Sequence, residues 1–325
     1  MANRESKTAK AEPSAPRRPP NSLGIVVPAY NEADSIEPFY RALQPVLSNL
    51  DCKTEILFVD DGSTDDTRAV IRHLQTGDSR VRLVGLSRNF GKEAALSAAL
   101  DRIETDVVVP IDVDLQDPPE LIPALVERWC AGFDVVHAVR NDRTTDTFAK
   151  RLTAALYYRI FNAISYDQLP PGVGDFRLID RRVVHALRQL PERNRFMKGL
   201  FAWVGFRSTG VPYVRHARHS GTTKLPWRRL WRLALDGITS FSTLPLRIWT
   251  YIGVAIAILA FFYAMLIILR TLIAGVDVPG YASLIVAILF LGGIQLVSLG
   301  VIGEYLGRLF IEAKQRPIYL VDEED

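Results

Sequence analysis

Three carboxylates fall within six residues of the stretch Ile111-Asp112-Val113-Asp114-Leu115-Gln116-Asp117. They follow Val107-Val108-Val109-Pro110, an apolar run that reads as a buried strand of a parallel sheet. Carboxylates just past a buried strand end are costly unless something positive sits among them. Asp112 and Asp114 are two residues apart, so both point the same way if the chain stays extended. Two hard oxygen ligands on one side suit Mg²⁺ or Mn²⁺, which in turn holds substrate phosphates. The plain alternative is a solvated acidic loop that caps the next helix. Asp117 before Pro118-Pro119-Glu120 fits that alternative, as an N-cap with proline in the first turn.

The elements around this stretch decide what it faces. Strands are expected at Leu23–Val27, Glu55–Val59, Val81–Leu86, Val107–Ile111 and Asp134–Val139. Helices are expected over Asp34–Asn49, Asp65–Gln75, a segment ending near Ile103, and Pro118–Ala131. Strands alternating with helices every ~25–30 residues indicate βαβ units and a parallel sheet. Right-handed crossovers then place the loops after the strands on one edge. That edge collects Tyr30, Glu32, Asp60, Asp61, Lys92, Asp112, Asp114 and Gln116. Negative charge dominates there and would repel a bare phosphate unless a cation bridges the two, which favours the metal reading.

Common nucleotide signatures are absent. Gly85 to Lys92 resembles a P-loop only superficially, with five residues between the glycines and Glu93 where Ser or Thr must bind Mg²⁺. No Gly-x-Gly-x-x-Gly follows the first strand. His73, His137, His185, His216 and His219 lack metal-ligand context and read as structural or surface residues. A net charge of +3 does not suggest a nucleic-acid partner. Two cysteines, Cys52 and Cys130, are too few for a disulfide framework.

Mean hydropathy is +0.10 despite 23% charged residues, because polar and apolar segments are separated along the chain. Residues 1–22 are basic, contain four prolines and no apolar run, and read as a disordered tail without a signal peptide. Arg140, Arg143, Lys150, Arg151 and Arg159 accompany Phe148, Leu152, Leu156 and Ile160, an amphipathic basic pattern. It suits a core-packed surface helix or one lying at a membrane interface. Arg215, Arg218, Lys224 and Arg228 surround a Gly/Ser/Thr loop that suits closure over a phosphate. A juxtamembrane amphipathic helix is expected over 226–247, where Trp227 and Trp231 alternate with Arg228, Arg229 and Arg232.

Ile248–Leu269 is uncharged and long enough to cross a hydrocarbon core of about 30 Å. A second uncharged span covers 279–303, followed by a tail over 304–325. Cations flank the outer ends of the hairpin, which places the catalytic domain and both termini in the cytoplasm and the protein in the inner (plasma) membrane as a multi-pass chain. Gly292, Gly293, Gly300, Gly303 and Gly307 allow close helix contacts, within the hairpin or in a homo-oligomer.

Pro28-Ala29-Tyr30-Asn31-Glu32, Val59-Asp60-Asp61-Gly62-Ser63-Thr64-Asp65, Asn89-Phe90-Gly91-Lys92, Asp112 to Pro119, and Gly174-Asp175-Phe176-Arg177 occur in that order. With the Arg218 to Lys224 loop and the hairpin, the chain resembles glycosyltransferase family 2. Within it, the resemblance is to bacterial polyprenyl-phosphate glycosyltransferases of the dolichol-phosphate-mannose-synthase-like branch. It covers about Leu23 to Arg316. It implies an α/β fold: a GT-A Rossmann-like catalytic domain over 23–225, followed by a C-terminal two-helix transmembrane hairpin. It implies inverting transfer of a sugar from a nucleotide-sugar donor, first of all UDP-glucose, to undecaprenyl or another polyprenyl phosphate at the membrane, with Mg²⁺ or Mn²⁺ as cofactor. By the same resemblance Pro28, Tyr30, Glu32 and Asp61 hold the nucleoside, with Lys92 and Val113 in the donor site. Asp112 supports the nucleotide, and Asp114 and Gln116 hold the metal. Asp175 orients the arginines or touches the sugar. Arg177, Arg218 and Lys224 bind the donor diphosphate or close over it. Asp112, Asp114, Arg177 and Lys224 form the catalytic set, and Arg140 and Arg151 hold the lipid phosphate. Two departures are small: Val113 stands where Ala is frequent, and Thr223 where Ser is usual.

Two other readings compete. A processive family 2 polysaccharide synthase carries a Gln-x-x-Arg-Trp motif, whereas Gln189 here is followed by Leu190-Pro191-Glu192. A catalytically silent, membrane-anchored scaffold would have lost Asp112, Asp114 or Lys224, and all three are present.

Overall fold

The computed structural model describes residues 12–140, 173–193, 195–213, 244–274 and 280–324. The basic segment around Phe148–Ile160, Arg151, the Arg215–Lys224 loop with Arg218 and Lys224, and residues 226–243 of the helix expected over 226–247 lie outside the described residues.

The first half alternates as the hydrophobic periodicity predicts: β1 (Ser22–Ala29), α1 (Ala33–Ser48), β2 (Lys53–Asp60), α2 (Thr67–Gly77), β3 (Val81–Leu86), α3 (Lys92–Arg102), β4 (Val107–Pro110), α4 (Ile122–Cys130) and β5 (Val135–Arg140). Then come β6 (Val173–Asp180), α5 (Arg181–Arg188), α6 (Met197–Trp203), β7 (Ser208–Tyr213), α7 (Leu244–Ala274), α8 (Tyr281–Ala313) and β8 (Val321–Glu324). The strands form one sheet in the order β7-β5-β6-β4-β1-β2-β3-β8.

The sheet is mixed rather than purely parallel. β6 runs antiparallel between β4 and β5, and β8 runs antiparallel along β3. β6 alternates as a strand buried on both faces must. Phe176 and Leu178 join one core with Phe39, Leu43 and Leu125, while Ile179 joins the other with Ala95, Val183 and Phe201. Helices α1, α2 and α4 thus cover one face, and α3, α5 and α6 the other.

Residues 12–22, expected to be part of a disordered tail, are bonded to the sheet, and the C-terminal tail is bonded to it as well. Ser14 donates its backbone N–H to the Gly132 carbonyl at 3.0 Å, and Arg17 its own to Cys130 at 2.7 Å. The Arg17 guanidinium pairs with Asp134 and with Asp180, the latter at 2.8 Å. Those two buried carboxylates need positive charge, and the tail supplies part of it beside Arg182, which pairs with both. At the other end, α8 does not stop at residue 303 but continues to Ala313, with Arg308 bonded to Glu304 at 3.0 Å across one turn. Beyond it, Tyr319 donates to Asp101 at 2.8 Å, and β8 adds to the open edge of β3, where unpaired backbone groups require a partner.

α7 and α8 are apolar helices of 31 and 33 residues that leave Leu259, Phe261, Leu272 and Leu296 exposed. Among the described residues, Phe290–Ala313 is long and apolar enough to cross a membrane. Such contiguous apolar exposure marks a surface made for lipid or another apolar partner.

Candidate active site

The carboxyl ends of β1 to β4 carry the expected residues to one edge, and hydrogen bonds between neighbouring loops lock them there. After β1, Asn31 takes a left-handed conformation (φ 53°). Its N–H donates to Ser63 Oγ at 2.9 Å and its side-chain carbonyl accepts from Thr64 N at 2.8 Å. Glu32 donates its N–H to Thr67 Oγ1 at 2.8 Å and accepts the Ser35 hydroxyl at 2.9 Å. Pro28 is half-buried, and Tyr30 is 43% exposed at the mouth of this loop.

Asp60 and Asp61 divide the work at the end of β2. Asp60 is fully buried and receives Arg68 Nε at 3.0 Å and Ser63 N at 3.1 Å. Asp61 accepts the backbone N–H groups of Phe90 at 2.7 Å and Gly91 at 2.8 Å. Burial pushes its carboxyl up and the two amides only partly offset this. Gly62 (φ 67°) lets these loops meet, because a Cβ there would lie 2.4 Å from the Arg88 carbonyl carbon. Asp61, expected to hold the nucleoside, thus also fixes the β3–α3 loop that delivers Lys92.

Lys92 opens α3 and bridges two carboxylates: its Nζ lies 2.8 Å from Asp112 Oδ2 and 2.8 Å from Asp175 Oδ2. β6 makes this possible, since its antiparallel register against β4 carries Asp175 towards the level of Asp112. Burial works against the Lys92 ammonium, but Asp112 and Asp175 outweigh it and raise its pKa. Burial likewise opposes ionisation of Asp175, yet Lys92, Lys198 and Arg177 hold its carboxyl well below the usual range. The neighbouring Glu93 is pushed up to about 7 by burial and by the charge of Asp175.

The acidic stretch itself does not remain extended. β4 ends at Pro110, the chain turns, and Leu115 takes a left-handed conformation (φ 54°). The premise that Asp112 and Asp114 point the same way along an extended chain fails, because the turn sets their directions. Asp112 faces Lys92, while Asp114 Oδ1 accepts the Gln116 backbone N–H at 3.1 Å. Nor does Asp117 cap the following helix. That helical start makes no side-chain cap bond, and Asp117 accepts the Tyr213 hydroxyl at 2.5 Å. Among the described residues no group of three His, Cys, Asp or Glu side chains forms a metal cage. Asp114 and Gln116 still fit a hard cation, because Mg²⁺-type ions take one or two protein oxygens and complete their shell with phosphates and water.

Two expected contacts sit deeper than anticipated. The Val113 side chain belongs to the core. Arg177 is 2% exposed and donates to the carbonyls of Asp175 at 3.2 Å and Gly174 at 2.6 Å, with its guanidinium 4.1 Å over the Phe201 ring. It underlies the site and shapes the β6 segment that carries Asp175. Arg140 ends β5 opposite Tyr213 on β7, on the same edge as the Asp117 contact. Lys198, Glu93 and His137 were not assigned to the site from sequence. Lys198 Nζ lies 3.6 Å from Asp175 Oδ1, and Glu93 accepts the Met197 N–H at 3.3 Å. His137 pairs with Arg177 across β5 and β6. Only the fold brings these together, although Glu93 beside Lys92 was visible.

Residues 24–188 match Glycosyl transferase family 2, and residues 244–309 match the GtrB C-terminal hairpin. The chain is 53% identical over 301 residues to the uncharacterized glycosyltransferase sll0501 of Synechocystis sp., covering 93% of this chain and 95% of that one. It is 49% identical over 302 residues to the bactoprenol glucosyl transferase of Shigella phage SfV, covering 93% and 98%. A bactoprenol glucosyl transferase homolog of Escherichia coli is 50% identical over 299 residues, covering 92% and 98%. With its mixed GT-A sheet, its acidic strand-end site and its apolar helical hairpin, the chain belongs to glycosyltransferase family 2 and is a glycosyltransferase.

Proposed function

We propose that this enzyme transfers glucose from UDP-glucose to undecaprenyl phosphate, with inversion, at the cytoplasmic face of the inner membrane. The acceptor assignment is supported by the half-identical relatives that act on bactoprenol by name. The observation that carries the donor assignment is the Asp112–Lys92–Asp175 bridge at the strand ends. It is a charged, half-exposed cluster beside Asp114 and Gln116, suited to a diphosphate that arrives with a cation. Pro28, Tyr30 and Glu32 receive the nucleoside, and Asp61 supports it by fixing the adjacent loop. Asp112 and Lys92 position the diphosphate. Asp114 and Gln116 hold Mg²⁺ or Mn²⁺, which when bound neutralises the leaving diphosphate. Arg218 and Lys224 close over the same charge, and Arg177 orders the backbone beneath Asp175. Arg140 and Arg151 bind the lipid phosphate.

The acceptor is already an anion, so no side chain has to deprotonate it and the reaction needs no essential general base. Positioning the acceptor oxygen behind the anomeric carbon is the main task of the protein. The hairpin serves this, since two spanning helices with both termini cytoplasmic hold the site at headgroup depth. A homo-oligomer packed through the glycine-bearing α8 fits the same arrangement.

The test is transfer of radiolabelled sugar to undecaprenyl phosphate by the purified chain in detergent, across a panel of UDP- and GDP-sugars, with Mn²⁺ or with EDTA. Butanol-extractable product from UDP-glucose, lost in EDTA, is the expected result. Product from a different donor overturns the sugar assignment. Undiminished product in EDTA overturns the metal, and absence of nucleotide binding overturns the donor site.

A further inference from the structure

Positive charge around Asp175 exceeds what that carboxylate requires. Lys92 is shared with Asp112 by two 2.8 Å contacts. Arg177 is buried and spends donors on two backbone carbonyls. Lys198 approaches the remaining oxygen of Asp175 only to 3.6 Å, beyond hydrogen-bond distance, with its side chain 34% exposed. A half-exposed pair of this length is weak and readily exchanged. The base of Lys198 is firm, however. Met197 and Leu200 on α6 are buried, Phe201 stacks on Arg177, and the Met197 N–H is held by Glu93. A cation with a loosely held head on a rigid base, beside the acidic strand ends, is placed to receive an incoming anion.

We propose that Lys198 is a further donor-binding residue, whose ammonium leaves Asp175 on nucleotide-sugar entry and pairs with the donor diphosphate. Asp175 keeps Lys92 when this happens, so no carboxylate is stranded. The same ammonium opposes the charge that grows on the leaving diphosphate as the glycosidic bond breaks, so it acts on kcat as well as on binding. This inference rests on the donor-site reading above.

Calorimetric titration of the full-length protein in detergent tests it, with Mn²⁺ present and with UDP and uridine as the two probes. In Lys198→Ala, UDP affinity falls about tenfold or more while uridine affinity is unchanged. Lys198→Arg restores most of the UDP affinity and Lys198→Gln does not. Donor KM rises and kcat falls in Lys198→Gln. Equal UDP binding by wild type and Lys198→Gln overturns the role of Lys198 and leaves the donor site standing. Parallel losses for UDP and uridine also overturn it, because they report a displaced helix instead of a lost charge. Wild-type protein that binds neither probe removes the donor site and this inference with it.

Discussion

The two edges of the central sheet use the same residue types to opposite ends. At one edge, Asp134 and Asp180 are each 5% exposed, and their oxygens are saturated from within the protein. Asp180 alone accepts from Arg17 at 2.8 Å, Trp129 Nε1 at 2.8 Å and Arg182 N at 2.9 Å. At the other edge, the side chains of Lys92, Asp112 and Asp175 are 43%, 34% and 36% exposed, and one lysine serves two carboxylates. A buried ionic cluster must be complete, because an unpaired buried charge costs several kcal/mol. A half-exposed cluster can hold its charges loosely, as Lys198 is held at 3.6 Å from Asp175, since water screens them until a ligand arrives. Charge and proximity are therefore not what separates a structural network from a binding site. Spare capacity at a solvent-facing position is.

The sharpest way to break this contrast is to remove the residue assigned to the cation. Asp114→Ala is expected to reduce kcat/KM for sugar transfer by about a hundredfold or more, with little change in melting temperature. Full activity in purified Asp114→Ala would end the proposed role. Next in size, Lys92→Ala should lower kcat/KM by roughly ten- to a hundredfold, because Asp112 and Asp175 then face the diphosphate without their shared cation. Arg17→Ala should show the reverse profile: a stability loss of about 2–3 kcal/mol in denaturant melts, with kcat/KM nearly unchanged. Loss of activity without loss of stability in this variant would erase the distinction between the two edges.

Two titratable groups, half-buried Glu93 and buried His137, sharpen the comparison with smaller effects. Glu93 has its pKa raised to about 7 from 4.5, so its folded form prefers the neutral acid. Stability from this group is present below pH 4.5 and is lost as pH rises through about 7. Glu93→Gln should flatten that fall in a melting-temperature series. His137 behaves oppositely. Burial and the charge of Arg177 lower its pKa to about 3 from 6.5, so folding keeps it neutral. Its stability contribution is present above pH 6.5 and is lost as pH falls towards about 3, a slope that His137→Gln should remove. The smallest effect is expected from Tyr213→Phe, which deletes the hydroxyl donated to Asp117 and should cost about 1 kcal/mol in the same melts.

Much of this organisation was legible along the chain. Short apolar runs such as Leu23–Val27 and the Pro/Gly/Asp breaks after them located the first five strands, and the edge-collecting rule for right-handed crossovers brought Tyr30, Asp61, Lys92 and Asp112 to one side. The interior of each loop was less legible. Asp117 looked like a helix cap and instead meets Tyr213, a residue 96 positions away. Arg177 looked like a diphosphate ligand and instead lies buried under Phe201. Local pattern names the residue types available, but a side chain with several possible partners takes whichever the fold brings within reach.

The sequence by itself determined the family, the alternation of strands and helices, the polar and apolar division of the chain, and the acidic strand ends. Those follow from local periodicity and from motifs whose residues are adjacent. Only the tertiary structure decided that β6 inserts antiparallel to bring Asp175 to Lys92, that α6 adds Lys198, and that Arg17 and β8 tie both tails to the sheet. Each of those depends on contacts between residues far apart in the chain. Their energies come from pairing buried charges and open strand edges, needs that exist only once the sheet has formed.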